Sequence, residues 1–205
     1  MKLHYAPGTI SIAVAIALHE AGLDFEAIRV DLKTGAQTQP AYHRINPKGR
    51  VPALETGAGI LTETGAILDY IAAIAPAAGL KPQDPFQAAR LRSVMYYLAS
   101  TMHVNHAHRM RASRWADSAD AQEDMRAKVP ETMADSCAYI EQHCLAGPFI
   151  AGDRITVADP YLYVICTWLE GDGVDVKDYP RLAAFCDAMA ARPSVQAVRA
   201  AGMLR

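Results

Sequence analysis

Four groups of residues in this 205-residue chain carry side chains able to do chemistry. Thr9 and Ser11 are hydroxyls flanking Ile10 at the expected start of the first helix. Unpaired backbone N–H groups and the helix dipole favour an anion there, so each hydroxyl either caps the helix or donates to a bound group. Glu63 and Thr64 sit between a predicted strand and a predicted helix. At such a junction the Thr64 hydroxyl and the first helical N–H groups can bind a carboxylate while Glu63 faces an ammonium; ordinary capping uses the same geometry. Lys33 and Arg50 are the cations nearest these segments in sequence. His103 and His106 share a helix face at i,i+3, but His108 lies off it and no carboxylate or cysteine nearby completes a tetrahedral set, so no metal site is expected.

Cys137, Cys144, Cys166 and Cys186 all fall in the second half and never as Cys-x-x-Cys, which argues against a disulfide framework or zinc ribbon. Cys137 and Cys144 lie on one apolar helical stripe and read as core. Val51-Pro52 leaves two readings open from the residues alone. Pro52 either starts an edge strand as a trans residue, or follows a cis bond that turns the Val51 N–H and C=O toward a ligand backbone.

These residues need elements to position them, and the first part of the chain alternates element types. Lys2 to Tyr5 is a strand; Pro7-Gly8 is a turn; Ile12, Ile16, Ala17 and Ala21 repeat at helical spacing until Gly22. Glu26 to Asp31 is a second strand, and a short helix spans about Pro40 to Ile45. Val51 to Glu55 and Ile60 to Thr62 form a hairpin across Gly57-Ala58-Gly59. A helix carrying Ala66, Ile67, Tyr70, Ile71 and Ile74 then stops at Pro76. The order is β-α-β-α-β-β-α, an α/β unit over residues 1–76.

Residues 77–85 hold Gly79, Pro82 and Pro85 and read as a linker; residues 86–205 are expected to be wholly helical. Helices are predicted over Phe86 to Trp115, Asp120 to Leu145, Val157 to Leu169 and Arg181 to Ala190. Met133, Cys137, Ile140 and Cys144 form one stripe. Thr156 to Asp159 resembles a capping box, with the Thr156 hydroxyl accepting from the N–H three residues on and Asp159 reaching back. Pro160 is expected to cost one early helical hydrogen bond.

Composition narrows the partners. With 51% apolar and 20% charged residues and a net charge of -2, the chain is an ordered globular protein without the basic face a nucleic-acid binder needs. No long uncharged apolar run and no signal-like N-terminus occur, so a cytoplasmic protein away from membranes is expected.

The segments Met1 to Ser11, Asn46 to Leu54, Leu61 to Ile67 and Ile155 to Asp159 resemble, in order and spacing, the successive signatures of cytosolic glutathione transferases. The likeness covers essentially the whole chain and points most closely to the bacterial beta class. It implies an α/β thioredoxin-like N-terminal domain that binds glutathione, followed by an all-α C-terminal domain that carries an electrophile site. It implies a cis bond before Pro52, strand-like recognition of the tripeptide by Val51, the γ-glutamyl end at Glu63 and Thr64, and Lys33 on the glycyl carboxylate; Arg50 is a further candidate only as a cation near these motifs.

The beta-class cysteine position is Ile10 here, so the resemblance leaves no protein thiol for disulfide chemistry at that site. Thr9, at the place of the activating hydroxyl in serine-type classes, or Ser11 is then the candidate that holds the glutathione thiol as thiolate. His103 resembles a histidine the beta class brings toward sulfur, although the lysine that follows it there is Val104 here. Tyr96, Tyr97, Met102, Met110 and Trp115 are candidates to line the electrophile pocket. The implied activity is conjugation of glutathione to small apolar electrophiles by a homodimer, with glutathione as co-substrate and no metal. The alternatives are a glutathione-dependent dehalogenase, isomerase or peroxidase, or a non-catalytic glutathione-binding scaffold.

Overall fold

A computed structural model of the chain describes residues 1–204. The first 74 residues hold β1 (Lys2–Tyr5), α1 (Ser11–Glu20), β2 (Glu26–Arg29), α2 (Pro40–His43), β3 (Ala53–Thr56), β4 (Gly59–Thr62) and α3 (Thr64–Ile74). The strands form one mixed sheet in the order β2-β1-β3-β4. β1 and β2 are parallel, as a helical crossover requires, whereas β3 runs antiparallel to both β1 and β4. β3 begins at Ala53, two residues later than expected, because Pro52 cannot donate to the ladder.

The register decides where the chemistry collects. His4 pairs with Ala53 and Ala53 with Thr62, so the C-terminal end of β1, the N-terminal end of β3 and the C-terminal end of β4 share one edge. Arg29 at the end of β2 pairs with Tyr5 and reaches the same edge. The segments after Tyr5 and Arg29, before Ala53 and after Thr62 therefore emerge side by side.

Beyond Pro76 the described chain is helical: α4 (Pro85–Tyr97), α5 (His103–Arg111), α6 (Ala119–Tyr139), α7 (Ala158–Cys166), α8 (Pro180–Ala190) and α9 (Pro193–Ala200). Three features differ from the sequence expectation. The first long helix is broken by a π-helical turn at Leu98–Met102, and the second ends in another at Ile140–Cys144. The last helix, α9, starts on Pro193 directly after α8 and leaves too short a periodic stretch to read. Pro160 is the third residue of α7, where the N–H has no intrahelical partner to lose, so its expected cost is absent.

Half of the expected capping box forms at α7: Asp159 reaches back to the Thr156 N–H, but the Thr156 hydroxyl does not accept from the Asp159 N–H. The Thr156 hydroxyl donates to the Asp159 carboxylate at 2.7 Å, which further accepts from the Thr156 N–H at 2.6 Å and the Ile150 N–H at 2.8 Å. Burial pushes the Asp159 carboxyl up to about 6 against those hydrogen bonds.

α1 joins the two halves. Every residue from Ser11 to Leu18 is buried, because α1 packs against α3 on one side and against α7 and α9 on the other. A helix apolar all round must be covered all round. At its end Glu20 accepts from Arg192 Nε at 2.5 Å, Arg192 Nη2 at 2.7 Å and the Ser194 hydroxyl at 2.5 Å. The Met133, Cys137, Ile140 and Cys144 stripe is buried in the same continuous core. Among the described residues no helix is long and apolar enough to cross a membrane.

Candidate active site at the sheet edge

The β1–α1 loop supplies the hydroxyls. The Ser11 side chain is buried and accepts from the Ala6 N–H at 3.1 Å, while the half-buried Thr9 hydroxyl donates to the Ala6 carbonyl at 2.8 Å. The two hydroxyl oxygens lie 2.7 Å apart, and Ser11 is 3.3 Å from the Ala6 carbonyl. Neither caps α1: Ile10 occupies the N-cap position without a side-chain bond, so the capping reading of both residues is corrected. Ile10 itself is buried and offers the site only backbone.

The 2.7 Å contact lets either hydroxyl donate to the other. Each hydroxyl has one hydrogen. Ser11 accepts from Ala6 and is best placed to donate to Thr9, which leaves the Thr9 hydrogen for the Ala6 carbonyl or for a ligand.

The segment before β3 is braced from behind. Tyr42 donates to the Arg50 carbonyl at 2.8 Å, and the buried Asn46 side chain donates to the same oxygen at 2.6 Å. Burial pushes the Tyr42 phenol up to about 12, so it remains a donor. The Val51–Pro52 peptide bond is cis, and Val51 lies beyond the last β1–β3 pair. The Arg50 side chain is exposed at this edge.

Glu63 and Thr64 close the arrangement. Glu63 is the only described non-glycine residue at positive φ, at 70°, an unfavourable conformation that local structure must hold in place. α3 begins at Thr64 with no side-chain cap, and its first helical bond runs from the Ile67 N–H to the Glu63 carbonyl. The N–H groups of the first turn are thus open to an anion. Lys48 donates to Glu63 Oε1 at 2.6 Å and to the Thr62 hydroxyl at 2.7 Å, a pairing the sequence did not reveal. Lys33 follows β2 on the same edge and is exposed.

The helical half reaches this edge through Trp168, whose indole Nε1 donates to the Gly8 carbonyl at 3.0 Å. His103 lies 5.2 Å from the Trp168 ring and 6.5 Å from Tyr161. Burial, with the positive neighbours His106, Arg114 and Arg50, pushes His103 down to about 4, so at neutral pH it is an uncharged imidazole. His106 stacks on Trp168 at 4.2 Å and pairs with Asp172, while His108 turns its ring toward Trp115. His103 and His106 therefore share the Trp168 ring, while His108 has surroundings of its own.

The expected apolar lining is not assembled. Met102 is fully buried in the core, Tyr97 packs on Tyr139, and Tyr96 and Met110 are among the most exposed large apolar side chains. Tyr161 and Trp168 instead lie beside His103, with Tyr161 buried. Burial also pushes the Cys137 thiol up to about 12, which makes it a poor nucleophile.

Residues 1–73 match the family model of the glutathione S-transferase N-terminal domain, and residues 106–201 match that of the glutathione S-transferase C-terminal domain. The chain belongs to the glutathione S-transferase family. Glutathione S-transferase GstA of Escherichia coli O157:H7 is 32% identical over 199 residues, covering 96% of each chain. A glutathione transferase homologue from Sulfitobacter, solved with bound glutathione, shares 58% identity at TM-score 0.97, covering 99% of this chain and 98% of that one. A bacterial beta class glutathione S-transferase from Sphingomonas chungbukensis shares 36% identity at TM-score 0.85, covering 98% of both chains. The thioredoxin-like sheet followed by a helical region is the transferase fold, and the sheet edge is its candidate active site.

Of the predicted site residues, Thr9, Ser11, Arg50, Val51, Pro52, Glu63 and Thr64 lie on segments that meet at that edge, with Lys33 following β2 there and His103 beside Trp168. Sequence reasoning missed Lys48, Tyr42, Trp168 and Asp172, and weighed His106 only as a metal ligand. Lys48 stood inside a motif already singled out. Trp168 carries no local signature and meets Gly8 across 160 residues of chain.

Proposed function

We propose that this transferase binds glutathione along the sheet edge and conjugates it, as thiolate, to small apolar electrophiles. The γ-glutamyl carboxylate lies on the open first turn of α3 and the Thr64 hydroxyl, its ammonium faces Glu63, and the cysteinyl backbone pairs with Val51 before Pro52. Arg50 and Lys33 supply charge for the glycyl carboxylate. Residues 1–76 hold glutathione, the 77–85 segment connects, and the helical residues from 86 onward wall the electrophile. β4, α3 and α4 expose Ile60, Ile74, Phe86 and Tyr96, an apolar surface suited to a second copy of the chain.

Thr9 is the residue that holds the sulfur. The observation that carries this reading is the 2.7 Å contact by which buried Ser11 can donate to Thr9, freeing the Thr9 hydrogen for a ligand. Rotation of that hydrogen from the Ala6 carbonyl to sulfur stabilises thiolate over thiol, and each unit of lowered pKa is about 1.4 kcal/mol. The thiol proton leaves to solvent, sulfur attacks the electrophilic carbon, the S–C bond forms, and the leaving group departs with its electron pair. His103, uncharged, serves as a hydrogen-bonding wall and not as a cation for the thiolate.

Glutathione titrated into the protein, with the ultraviolet absorbance of the bound thiolate followed across pH, tests this reading. A bound thiol that ionises well below its free value, together with turnover of a chlorinated dinitroarene, is the expected result. Binding with an unshifted thiol and no turnover would instead indicate a non-catalytic glutathione binder.

A further inference from the structure

Gly8, the residue directly before Thr9, has both of its backbone polar groups bonded to the helical half. Its N–H donates to the Met203 carbonyl at 2.9 Å, and its carbonyl accepts from Trp168 Nε1 at 3.0 Å. Gly8 sits at φ +69°, and a glycine has more freedom to reorient than any other residue. Without external bonds, the Gly8 peptide could turn and carry Thr9 with it.

Trp168 is in turn firmly seated. His106 stacks on the indole with ring centroids 4.2 Å apart and planes 23° from parallel. His106 Nδ1 lies 2.7 and 3.0 Å from the two oxygens of Asp172, whose side chain is wholly buried. A carboxylate only accepts, so Nδ1 carries the hydrogen and the pair fixes the ring's tautomer and plane. Arg109 Nε approaches Asp172 from 3.4 Å. The turn that delivers Asp172 depends on Gly173, which sits at φ +82° and where a Cβ would press on Pro130.

We propose that Trp168 is a positioning residue for the thiol. Seated by the His106–Asp172 pair, its indole N–H fixes the Gly8 carbonyl, and with it the direction in which the Thr9 hydroxyl presents its hydrogen to sulfur. The proposal rests on the reading of Thr9 given above. It makes thiol activation, a task of the α/β half, dependent on a side chain of the helical half. Displacements of about 1 Å at a reacting group can cost on the order of 100-fold in rate, so a single distant hydrogen bond is enough to matter.

Trp168→Phe, in the full chain, removes the N–H and keeps an aromatic ring against His106. The expected result is a pKa of bound glutathione thiol raised by about one unit, with glutathione affinity changed less than about threefold. The rate should fall roughly tenfold below that pKa and recover above it. Asp172→Asn should give a smaller rise in the same direction, and it decides the matter by the same readout if the phenylalanine variant does not fold. A lower melting temperature with an unmoved thiol pKa overturns the proposal, as does weakened binding with an unmoved pKa. If the wild-type bound thiol is itself unshifted, the Thr9 reading fails first and the proposal falls with it.

Discussion

The hydroxyls of Thr9 and Ser11 lie 2.7 Å apart, one half-buried and the other buried. Thr9→Val should raise the pKa of the bound thiol by about one to two units, with a corresponding tenfold to hundredfold loss of kcat/KM at neutral pH. Ser11→Ala should have a smaller effect on the thiol but cost about 1–3 kcal/mol of stability, since the buried Ala6 N–H loses its acceptor. Thiolate absorbance and urea unfolding separate the two outcomes.

Glu63 is paired with Lys48 at 2.6 Å in an exposed setting. Such pairs add little stability, so Glu63→Gln should change the unfolding free energy by less than about 1 kcal/mol. Its affinity for glutathione should fall about tenfold, the scale of one charge-assisted hydrogen bond. Calorimetric titration with an analogue lacking the γ-glutamyl ammonium should show no difference between the two proteins. A tenfold difference that persists with the analogue would remove Glu63 from the ammonium's site.

His103 is held down to about 4 by burial and by neighbouring positive charge. A histidine whose folded pKa lies below its ordinary 6.5 contributes stability that is complete above 6.5 and is lost as the pH falls toward 4. His103→Phe should therefore flatten the decline of stability across that window. The His103 imidazole proton resonance should stay at its neutral position down to pH 5, and a midpoint near 6.5 would contradict the buried placement.

Glu20 joins the end of α1 to the α8–α9 turn through Arg192 and Ser194. Burial alone would raise its carboxyl, but the bonds from Arg192 and Ser194 and the Arg192 charge hold it below the ordinary value of 4.5. A depressed carboxyl stabilises the fold above its ordinary pKa and loses that contribution as the pH falls through the folded value. Arg192→Ala should cost about 1–3 kcal/mol at neutral pH. In denaturant titrations at successively lower pH, the gap between variant and wild type should close in the acid range.

Much of this was legible in the chain itself, because the signals are local. The alternation of strand and helix, the turn at Pro7-Gly8, the hairpin over Gly57 to Gly59 and the cluster at Glu63-Thr64 each lie within a few residues, where periodicity and turn chemistry act. The sheet register then follows: once β1, β3 and β4 pair as they do, Thr9, Val51 and Thr64 must emerge at one edge. The sequence by itself therefore determined the fold class and most of the segments that meet at the sheet edge.

What only the tertiary structure decided is how those residues are set. Ser11 and Thr64, read as possible caps, make no capping bond; Ser11 bonds to Ala6 and Thr9 instead. Tyr96 and Met110 turned outward and Met102 inward, since one helical stripe cannot tell which neighbour will cover it. Trp168 reaches Gly8, and Asp172 reaches His106 across 66 residues. Contacts that long carry no periodicity and no motif; they exist only once α1 has been buried between the sheet and the helices, and that burial brings the second half of the chain onto the loop that holds Thr9.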